Sequence, residues 1–269
     1  MIFDGRTCAQ EIQNRLHRAF NTYRGELLVH VVSVGDSKVS RDYMRRKKEV
    51  GESIGVSLVC DSFGDSISEE ALADVLRKKA LDPHIHGLVL QLPVPDSWST
   101  EALVKEIPPD KDIDALGVAP RVYPPVVEAI REIFKREGLH AQGKKAVVIG
   151  RGRLVGVPVF EWLTKEGARV KSFDRSQEGL QEALSEAEII VSGAGSPGLI
   201  TPDLLPSNGK VILLDAGTSE ASGKIVGDAD PQCAQKCALF TPVPGGIGPM
   251  TLVMLFRNLA FLQRIPFDF

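Results

Sequence analysis

The segment Ala146-Val-Val-Ile-Gly-Arg-Gly-Arg-Leu-Val-Gly156 passes from an apolar run into a glycine-rich turn and then into a helical pattern over 154–166. Its first four residues are typical of a strand buried on both faces, as in a parallel sheet covered by helices. Glycines let a backbone approach a phosphate closely, and the amino end of the following helix attracts the anion. The G-x-G-x-x-x-G spacing of Gly150, Gly152 and Gly156 therefore predicts a dinucleotide-binding turn, with a purely structural turn as the alternative.

Two later segments extend this prediction. The strand predicted over Arg169 to Phe173 ends at Asp174 and Arg175. A carboxylate there accepts hydrogen bonds from the ribose of NAD, whereas an arginine favours the 2′-phosphate of NADP. These two residues leave the choice between NAD and NADP open. The loop that includes Thr218 follows a predicted strand over 210–215, and we expect it to reach the nicotinamide.

The rest of the chain alternates strands and helices, which predicts an α/β fold with right-handed crossovers. Ligands in such sheets bind at the carboxyl ends of the strands. We expect two lobes, one of residues 1–120 plus 250–269 and one of residues 121–249. Besides the segments above, the predicted elements are a helix over 7–22, a strand over 26–34, a turn at 34–37, a helix capped by Ser40, a strand over 56–62, a helix over 67–80, a strand over 86–92, a helix over 98–107, a linking helix over 125–138, a strand over 188–192 and a last helix over 250–263.

The composition favours an ordinary soluble protein, since 43% of the 269 residues are hydrophobic and 25% are charged. The net charge of −3 predicts no nucleic-acid partner, and no apolar run is long enough for a membrane helix. The first residues do not form a signal peptide, so we expect a cytoplasmic protein. Cys8, Cys60, Cys233 and Cys237 have neither a C-x-x-C nor a zinc spacing, so they predict reduced, structural cysteines and no metal.

The helix predicted after Ser40 carries a charge on its apolar side. At about 100° per residue, Tyr43, Lys47, Val50 and Ile54 fall on one stripe. A lysine in such a stripe either extends along its stem to water or directs its ammonium into a polar cleft. In the second case Lys47 is a candidate acid/base group, and Tyr43, one turn earlier, can hold a ligand beside it.

Polar residues at two other positions are candidates for the same site. Gln91 stands at the carboxyl end of an apolar strand, where an amide either bonds to backbone or faces a ligand and orients Lys47. Asp112 and Asp114 belong to a turn, for which a solvated loop is the default interpretation. Their i, i+2 spacing can direct both to the same side, with one of them facing the cleft.

Taken together, these motifs resemble the bifunctional methylenetetrahydrofolate dehydrogenase/methenyltetrahydrofolate cyclohydrolase family over nearly the whole chain. The motifs that carry the resemblance are Val34-Gly-Asp36 with Ser40, Tyr43-x-x-x-Lys47, Val89-Leu-Gln-Leu-Pro-Val-Pro95, Pro109-Asp-Lys-Asp-Ile-Asp114, Gly150-Arg-Gly-Arg-Leu-Val-Gly156 and Pro242-Val-Pro-Gly-Gly-Ile-Gly-Pro-Met-Thr251.

The resemblance implies a two-lobed subunit that forms a homodimer. One lobe is a substrate lobe with a parallel-type sheet, the other is a Rossmann-like dinucleotide-binding lobe, and folate binds between them. It implies that Lys47 is the acid/base group of the cyclohydrolase step, that Gln91 tunes it, that Tyr43 stacks on the folate and that Asp114 bonds the pterin. Members of the family more often use NADP as the cofactor, whereas the carboxylate of Asp174 favours NAD. The remaining residues that it implies are Pro244, Gly245 and Gly246 along the folate, and Gly150, Arg151, Gly152, Gly156, Asp174, Arg175 and Thr218 on the dinucleotide.

The implied reaction is oxidation of 5,10-methylenetetrahydrofolate by NAD(P)⁺, followed by addition of water to the methenyl cation to give 10-formyltetrahydrofolate. The chain departs from the family in the short segment Ala115-Leu-Gly-Val-Ala-Pro120 and in Tyr123-Pro-Pro-Val-Val127, both of which border the implied folate surface. One alternative is therefore a catalytically weak protein that binds folate or nucleotide. Another is a two-lobed dehydrogenase that acts on a small acid.

Overall fold

The protein is described by a computed structural model over residues 1–35, 38–176, 178–221 and 223–267. Backbone contacts divide it into two compact units. The first unit comprises Gln10–Pro125 with Leu252–Phe269, and the second comprises Met1–Ala9 with Val126–Thr251. The turn predicted at Asp36 and Ser37 lies outside the described residues. None of the described helices is long and apolar enough to span a membrane.

The first unit is built on a three-stranded parallel sheet with the strand order β2-β1-β3. Its elements are α1 (Gly5–Asn21) and α8 (Ile247–Leu262), both of which lie mostly in this unit, with β1 (Leu27–Val34), α2 (Lys38–Ser53), β2 (Val56–Phe63), α3 (Glu69–Leu81), β3 (Gly87–Leu90) and α4 (Thr100–Val104).

The central strand β1 is almost wholly apolar because both of its faces are covered. Val32 and Val34 pack with Leu72 and Leu76 of α3 in one buried cluster. On α2, a Cβ added at Gly51 would lie 3.0 Å from the ring of Phe256, so the absence of a side chain there lets α2 and α8 pack closely. This packing fixes the rotation of α2 and therefore the direction in which its polar residues point.

The second unit contains a five-stranded parallel sheet with the order β10-β7-β6-β4-β5, and a small antiparallel pair β8-β9. Its elements are α5 (Pro125–Arg136), which the unit takes up from Val126, β4 (Lys145–Ile149), α6 (Gly156–Lys165), β5 (Arg169–Phe173), α7 (Leu180–Ser185), β6 (Ile189–Ser192), β7 (Val211–Asp215), β8 (Ser219–Ala221), β9 (Lys224–Val226) and β10 (Cys237–Thr241). The parallel α/β architecture predicted from the sequence is confirmed.

Backbone contacts group Met1–Ala9 with the second unit, whereas the sequence predicts one lobe of residues 1–120 plus 250–269. The reason is strand pairing, because the Phe3 N–H donates to the Phe240 carbonyl at 2.9 Å and Ile2 forms a parallel bridge with Phe240. The sequence pattern of residues 1–3 alone does not predict such a bridge.

Several predicted element bounds are wrong. Helix α2 begins at Lys38, so Ser40 lies inside the helix and is not its cap. The helix expected over 98–107 is only α4, since Pro108 and Pro109 follow and the chain turns before them. Helix α8 begins at Ile247, three residues earlier than expected, because a proline is tolerated in the first turn, where its missing N–H costs no bond. Four elements were not predicted from the sequence, namely α7, β8, β9 and β10.

Candidate functional site

Lys47 is buried in the first unit, with 4% of its surface exposed. Its Nζ donates to Gln91 Oε1 at 3.1 Å and lies 3.7 Å from Asp114 Oδ2. The same nitrogen is 5.6 Å from the centroid of the Tyr43 ring, within the range of a cation–π contact. The amine therefore points into a polar pocket and does not extend to bulk water, and three other residues predicted from the sequence, Tyr43, Gln91 and Asp114, lie around it.

Each of these side chains is positioned by its own element. Tyr43 and Lys47 are one turn apart on α2 and share a face. Gln91 follows β3, and its backbone N–H donates to the Val32 carbonyl at 2.8 Å. The amide Nε2 donates to the Leu92 carbonyl at 2.9 Å, which leaves Oε1 as the atom that accepts from the lysine.

The two aspartates of the predicted turn have different surroundings. Asp112 is 1% exposed, and its carboxylate accepts from the N–H groups of Leu116 at 3.3 Å and Gly117 at 2.7 Å. Burial raises the pKa of Asp112 to about 6, and the nearby charge of Asp114 adds to the rise. Of these two aspartates, only Asp114 contacts Lys47. Asp112 therefore stabilises the turn, and Asp114 forms the ion pair with the amine.

The glycine turn of the second unit is closely packed on one side and open on the other. Gly150 has φ +94°, and a Cβ there would lie 2.6 Å from the Gly193 carbonyl oxygen. A Cβ at Gly156, the first residue of α6, would lie 2.6 Å from the carbonyl carbon of Gly150. A Cβ at Gly152 would meet nothing within 4 Å. An exposed backbone before a helix amino terminus fits a dinucleotide pyrophosphate.

Charged side chains gather beside this turn at the end of β5. The Gly150 N–H donates to the Phe173 carbonyl at 2.9 Å, and Arg151 Nη2 donates to the Ser172 carbonyl at 3.2 Å. Asp174 and Arg175 are exposed directly after Phe173. Two arginines and one carboxylate leave a positive balance at this strand end, which suits a phosphate better than a bare ribose hydroxyl.

The other predicted residues of the second unit lie elsewhere in it. Thr218 is exposed after β7, and β6 separates β7 from β4, so Thr218 is two strand positions from the glycine turn. Pro244, Gly245 and Gly246 form the turn between β10 and α8, closed by a bond from the Gly246 N–H to the Pro242 carbonyl at 2.7 Å. These four residues do not join the glycine turn.

The sequence reading missed two buried carboxylates in this unit. Asp215 is 1% exposed and accepts from the N–H groups of Gly217 at 2.9 Å and Ala229 at 2.8 Å. Burial raises the pKa of Asp215 to about 6. Asp228 is 0% exposed and accepts hydrogen bonds from the last residue of β6 and from the segment that follows it. For Asp215 the available signal was an acidic residue at the end of an apolar strand, at the edge where ligands bind.

Comparison with known proteins matches both units. The family described as tetrahydrofolate dehydrogenase/cyclohydrolase, catalytic domain, matches residues 3–114, and its NAD(P)-binding domain matches residues 124–265. The bifunctional protein FolD of Halothermothrix orenii is 35% identical over 272 residues, which cover 96% of this chain and 95% of that protein.

Solved structures agree with this match. The bifunctional FolD methylenetetrahydrofolate dehydrogenase/cyclohydrolase of Campylobacter jejuni has a TM-score of 0.92 at 27% identity, covering 98% of each chain. The corresponding enzyme of Trypanosoma brucei, solved with NADP and an inhibitor, has a TM-score of 0.90 at 28% identity, covering 98% of this chain and 97% of that one. The resemblance seen in the motifs is confirmed, and this chain belongs to the tetrahydrofolate dehydrogenase/cyclohydrolase family.

Proposed function

We propose that this protein oxidises 5,10-methylenetetrahydrofolate to 5,10-methenyltetrahydrofolate with NADP⁺ and then hydrolyses that product to 10-formyltetrahydrofolate. The observation that carries the proposal is the buried Lys47 amine, held between the Gln91 amide and the Asp114 carboxylate. A buried amine with two polar partners is arranged for proton transfer, whereas binding alone would not require it. We assign folate to the first unit and the dinucleotide to the second.

In the hydrolytic step, Lys47 accepts the proton of the water that adds to the methenyl carbon. Gln91 Oε1 accepts one N–H of the amine, with Nζ and Oε1 3.1 Å apart, and so keeps the nitrogen in place. Asp114 accepts hydrogen bonds from the pterin, and its position 3.7 Å from Nζ ties the substrate to the amine. Tyr43, which is 38% exposed, offers its ring to the flat face of the folate. The place of Pro244, Gly245 and Gly246 along the folate stays a prediction from the resemblance.

When bound, NADP⁺ supplies the hydride acceptor for the first step. The backbone at Gly150 and Gly152 and the amino end of α6, which starts at Gly156, hold its pyrophosphate. Arg151 and Arg175 bind the 2′-phosphate, and Asp174 accepts from a ribose hydroxyl. Thr218 contacts the nicotinamide half. The two arginines favour NADP over NAD, and NAD is the second choice because Asp174 stands beside them.

A spectrophotometric assay tests this proposal. The purified protein, given methylenetetrahydrofolate with NADP⁺ or NAD⁺ in parallel, should form reduced cofactor faster with NADP⁺. Given methenyltetrahydrofolate without dinucleotide, it should remove the methenyl absorbance. A protein that binds folate or NADP but shows neither reaction would be the catalytically weak homologue. The homodimer and the cytoplasmic location expected from the sequence remain predictions, and the mass in solution tests the first of them.

A further inference from the structure

Asp228 follows β9, is fully buried and accepts three described hydrogen bonds. Its Oδ2 accepts from Ser192 Oγ at 2.6 Å and from the Ala194 N–H at 2.8 Å, and its Oδ1 accepts from the Ser196 N–H at 2.6 Å. All three donors belong to one segment, residues 192–196, which we call the β6 loop. Hydrogen bonds of this length from one hydroxyl and two backbone N–H groups to carboxylate oxygens are strong. One side chain thus fixes the backbone of the whole loop.

The β6 loop in turn packs directly on the glycine turn. The Gly193 N–H donates to the Ile149 carbonyl at 2.9 Å. A Cβ at Gly150 would lie 2.6 Å from the Gly193 carbonyl oxygen, and a Cβ at Gly193 would lie 2.7 Å from Val155 Cβ. The Gly150 backbone and the Val155 side chain both lie directly against Gly193, so a shift of one segment displaces the other.

A second carboxylate, Asp215, holds the residue that follows Asp228. Asp215 Oδ2 accepts from the N–H of Ala229, the next residue after Asp228, and Asp215 Oδ1 accepts from the Gly217 N–H. A Cβ at Gly217 would overlap the Asp228 carboxylate, so glycine is required there. Three strand ends, those of β4, β6 and β7, are connected in this way at the edge of the sheet where ligands bind.

We propose that Asp228 is a positioning residue for the dinucleotide, because it holds the β6 loop and, through it, the glycine turn in the shape that accepts the pyrophosphate. The inference rests on the NADP binding proposed above. Asp228 touches no reacting atom in this role. Its effect belongs to cofactor affinity, and the proton chemistry at Lys47 in the first unit should not depend on it.

The isosteric variant Asp228→Asn tests the role. An amide can accept at only one of its two heads, so its NH₂ group faces at least one of the donors from Ser192, Ala194 and Ser196. Calorimetric titration with NADP should show a dissociation constant raised at least about tenfold, a loss of about 1.4 kcal/mol of binding free energy. The KM for NADP should rise while kcat and the hydrolysis of methenyltetrahydrofolate without dinucleotide stay near wild type.

Glu132→Gln is the matched control, since Glu132 is also buried, at 7% exposed, but is bonded to Arg136 on α5. It should lower the melting temperature without changing NADP affinity. The milder Ser192→Ala, which removes one of the three bonds, should raise the dissociation constant by a smaller factor and keeps the test open if Asp228→Asn does not fold. Unchanged NADP affinity in both Asp228→Asn and Ser192→Ala, or an equal loss of NADP affinity in Glu132→Gln, would overturn the positioning role. A wild-type chain that binds neither NADP nor NAD would overturn the proposed cofactor as well.

Discussion

Lys47 illustrates how the position of one side chain decides between a structural and a chemical role. The stripe on α2 predicted that this lysine faces inward, and its 4% exposure agrees. The sequence could not fix what the amine would meet, because Gln91 and Asp114 are 44 and 67 residues further along the chain. Their meeting depends on the parallel register of β1 and β3 and on the turn that follows.

Replacing Lys47 with methionine should separate the two activities. Methionine fills the buried space but cannot take a proton, so the hydrolysis of methenyltetrahydrofolate should fall by about 10²- to 10⁴-fold. Dehydrogenase activity should persist to a measurable extent, because hydride transfer does not require this proton acceptor. Both rates follow from absorbance assays on one preparation.

Lys48→Met is the control for that substitution. Lys48 is adjacent on α2, but 53% of its side chain is exposed and its contact is with Glu52 on the solvent face. This variant should keep both activities. Equal loss of both activities in Lys47→Met, with Lys48→Met unaffected, would show that Lys47 only binds substrate or supports the fold.

At the scale of elements, the glycine turn has two kinds of glycine. Gly156→Ala places a methyl group against the backbone of Gly150, so it should lower both the melting temperature and NADP affinity. Gly152→Ala meets only open space, so it should leave the melting temperature nearly unchanged and weaken only NADP binding. Calorimetry with and without NADP distinguishes the two. A Gly152→Ala protein with full affinity would mean that the pyrophosphate does not lie over this residue.

The segment after Asp114 carries two alanines in the left-handed region, Ala115 at φ +55° and Ala119 at φ +54°. Ala119 is exposed, and relief of its strain should outweigh the extra chain entropy of glycine, so Ala119→Gly should raise the free energy of unfolding by about 0.5–1 kcal/mol. At Ala115, which is 7% exposed, the loss of a buried methyl of about 0.8 kcal/mol should cancel that gain. Urea midpoints of the two variants test this difference, and equal midpoints would contradict it.

The element order was predictable because each buried strand is a continuous apolar run. β10 was not predicted because Cys237–Thr241 directly follows a 3₁₀ helix without a clear break in the sequence. The hydrogen bonds of Asp228 could not be predicted for another reason. Its donors lie 32 to 36 residues earlier in the chain, and an isolated aspartate in a loop is more often solvated.

At the scale of the whole molecule, the described residues of each unit include a buried carboxyl with a raised pKa, Asp112 in the first unit and Asp215 in the second, both at about 6. The ordinary value of 3.8 applies to the unfolded chain. Between about pH 4 and pH 6 the folded chain therefore binds more protons, and the contribution of each group to the free energy of unfolding falls as the pH rises.

Asp112→Asn should remove its part of this dependence. Compared with wild type, the variant should show a more positive slope of unfolding free energy against pH between about pH 4 and pH 6, by up to about 1.4 kcal/mol per pH unit. Asp110→Asn, an exposed carboxylate in the same turn, should leave the slope nearly unchanged. Urea titrations across this range measure it. Parallel slopes for wild type and Asp112→Asn would refute the assignment.

The pairing of Phe3 with Phe240 has a consequence for colloidal behaviour. β10 is an outer strand, and an uncovered outer strand offers its amides and carbonyls to other molecules. At the opposite edge strand, β5, the charges of Arg169 and Lys171 oppose pairing with strands of other molecules. The edge strand β10 has no charged residue from Ala238 to Thr241. Deletion of the first three residues should therefore cause the protein to aggregate. Light scattering should then rise with protein concentration, while the hydrolysis of methenyltetrahydrofolate without dinucleotide persists.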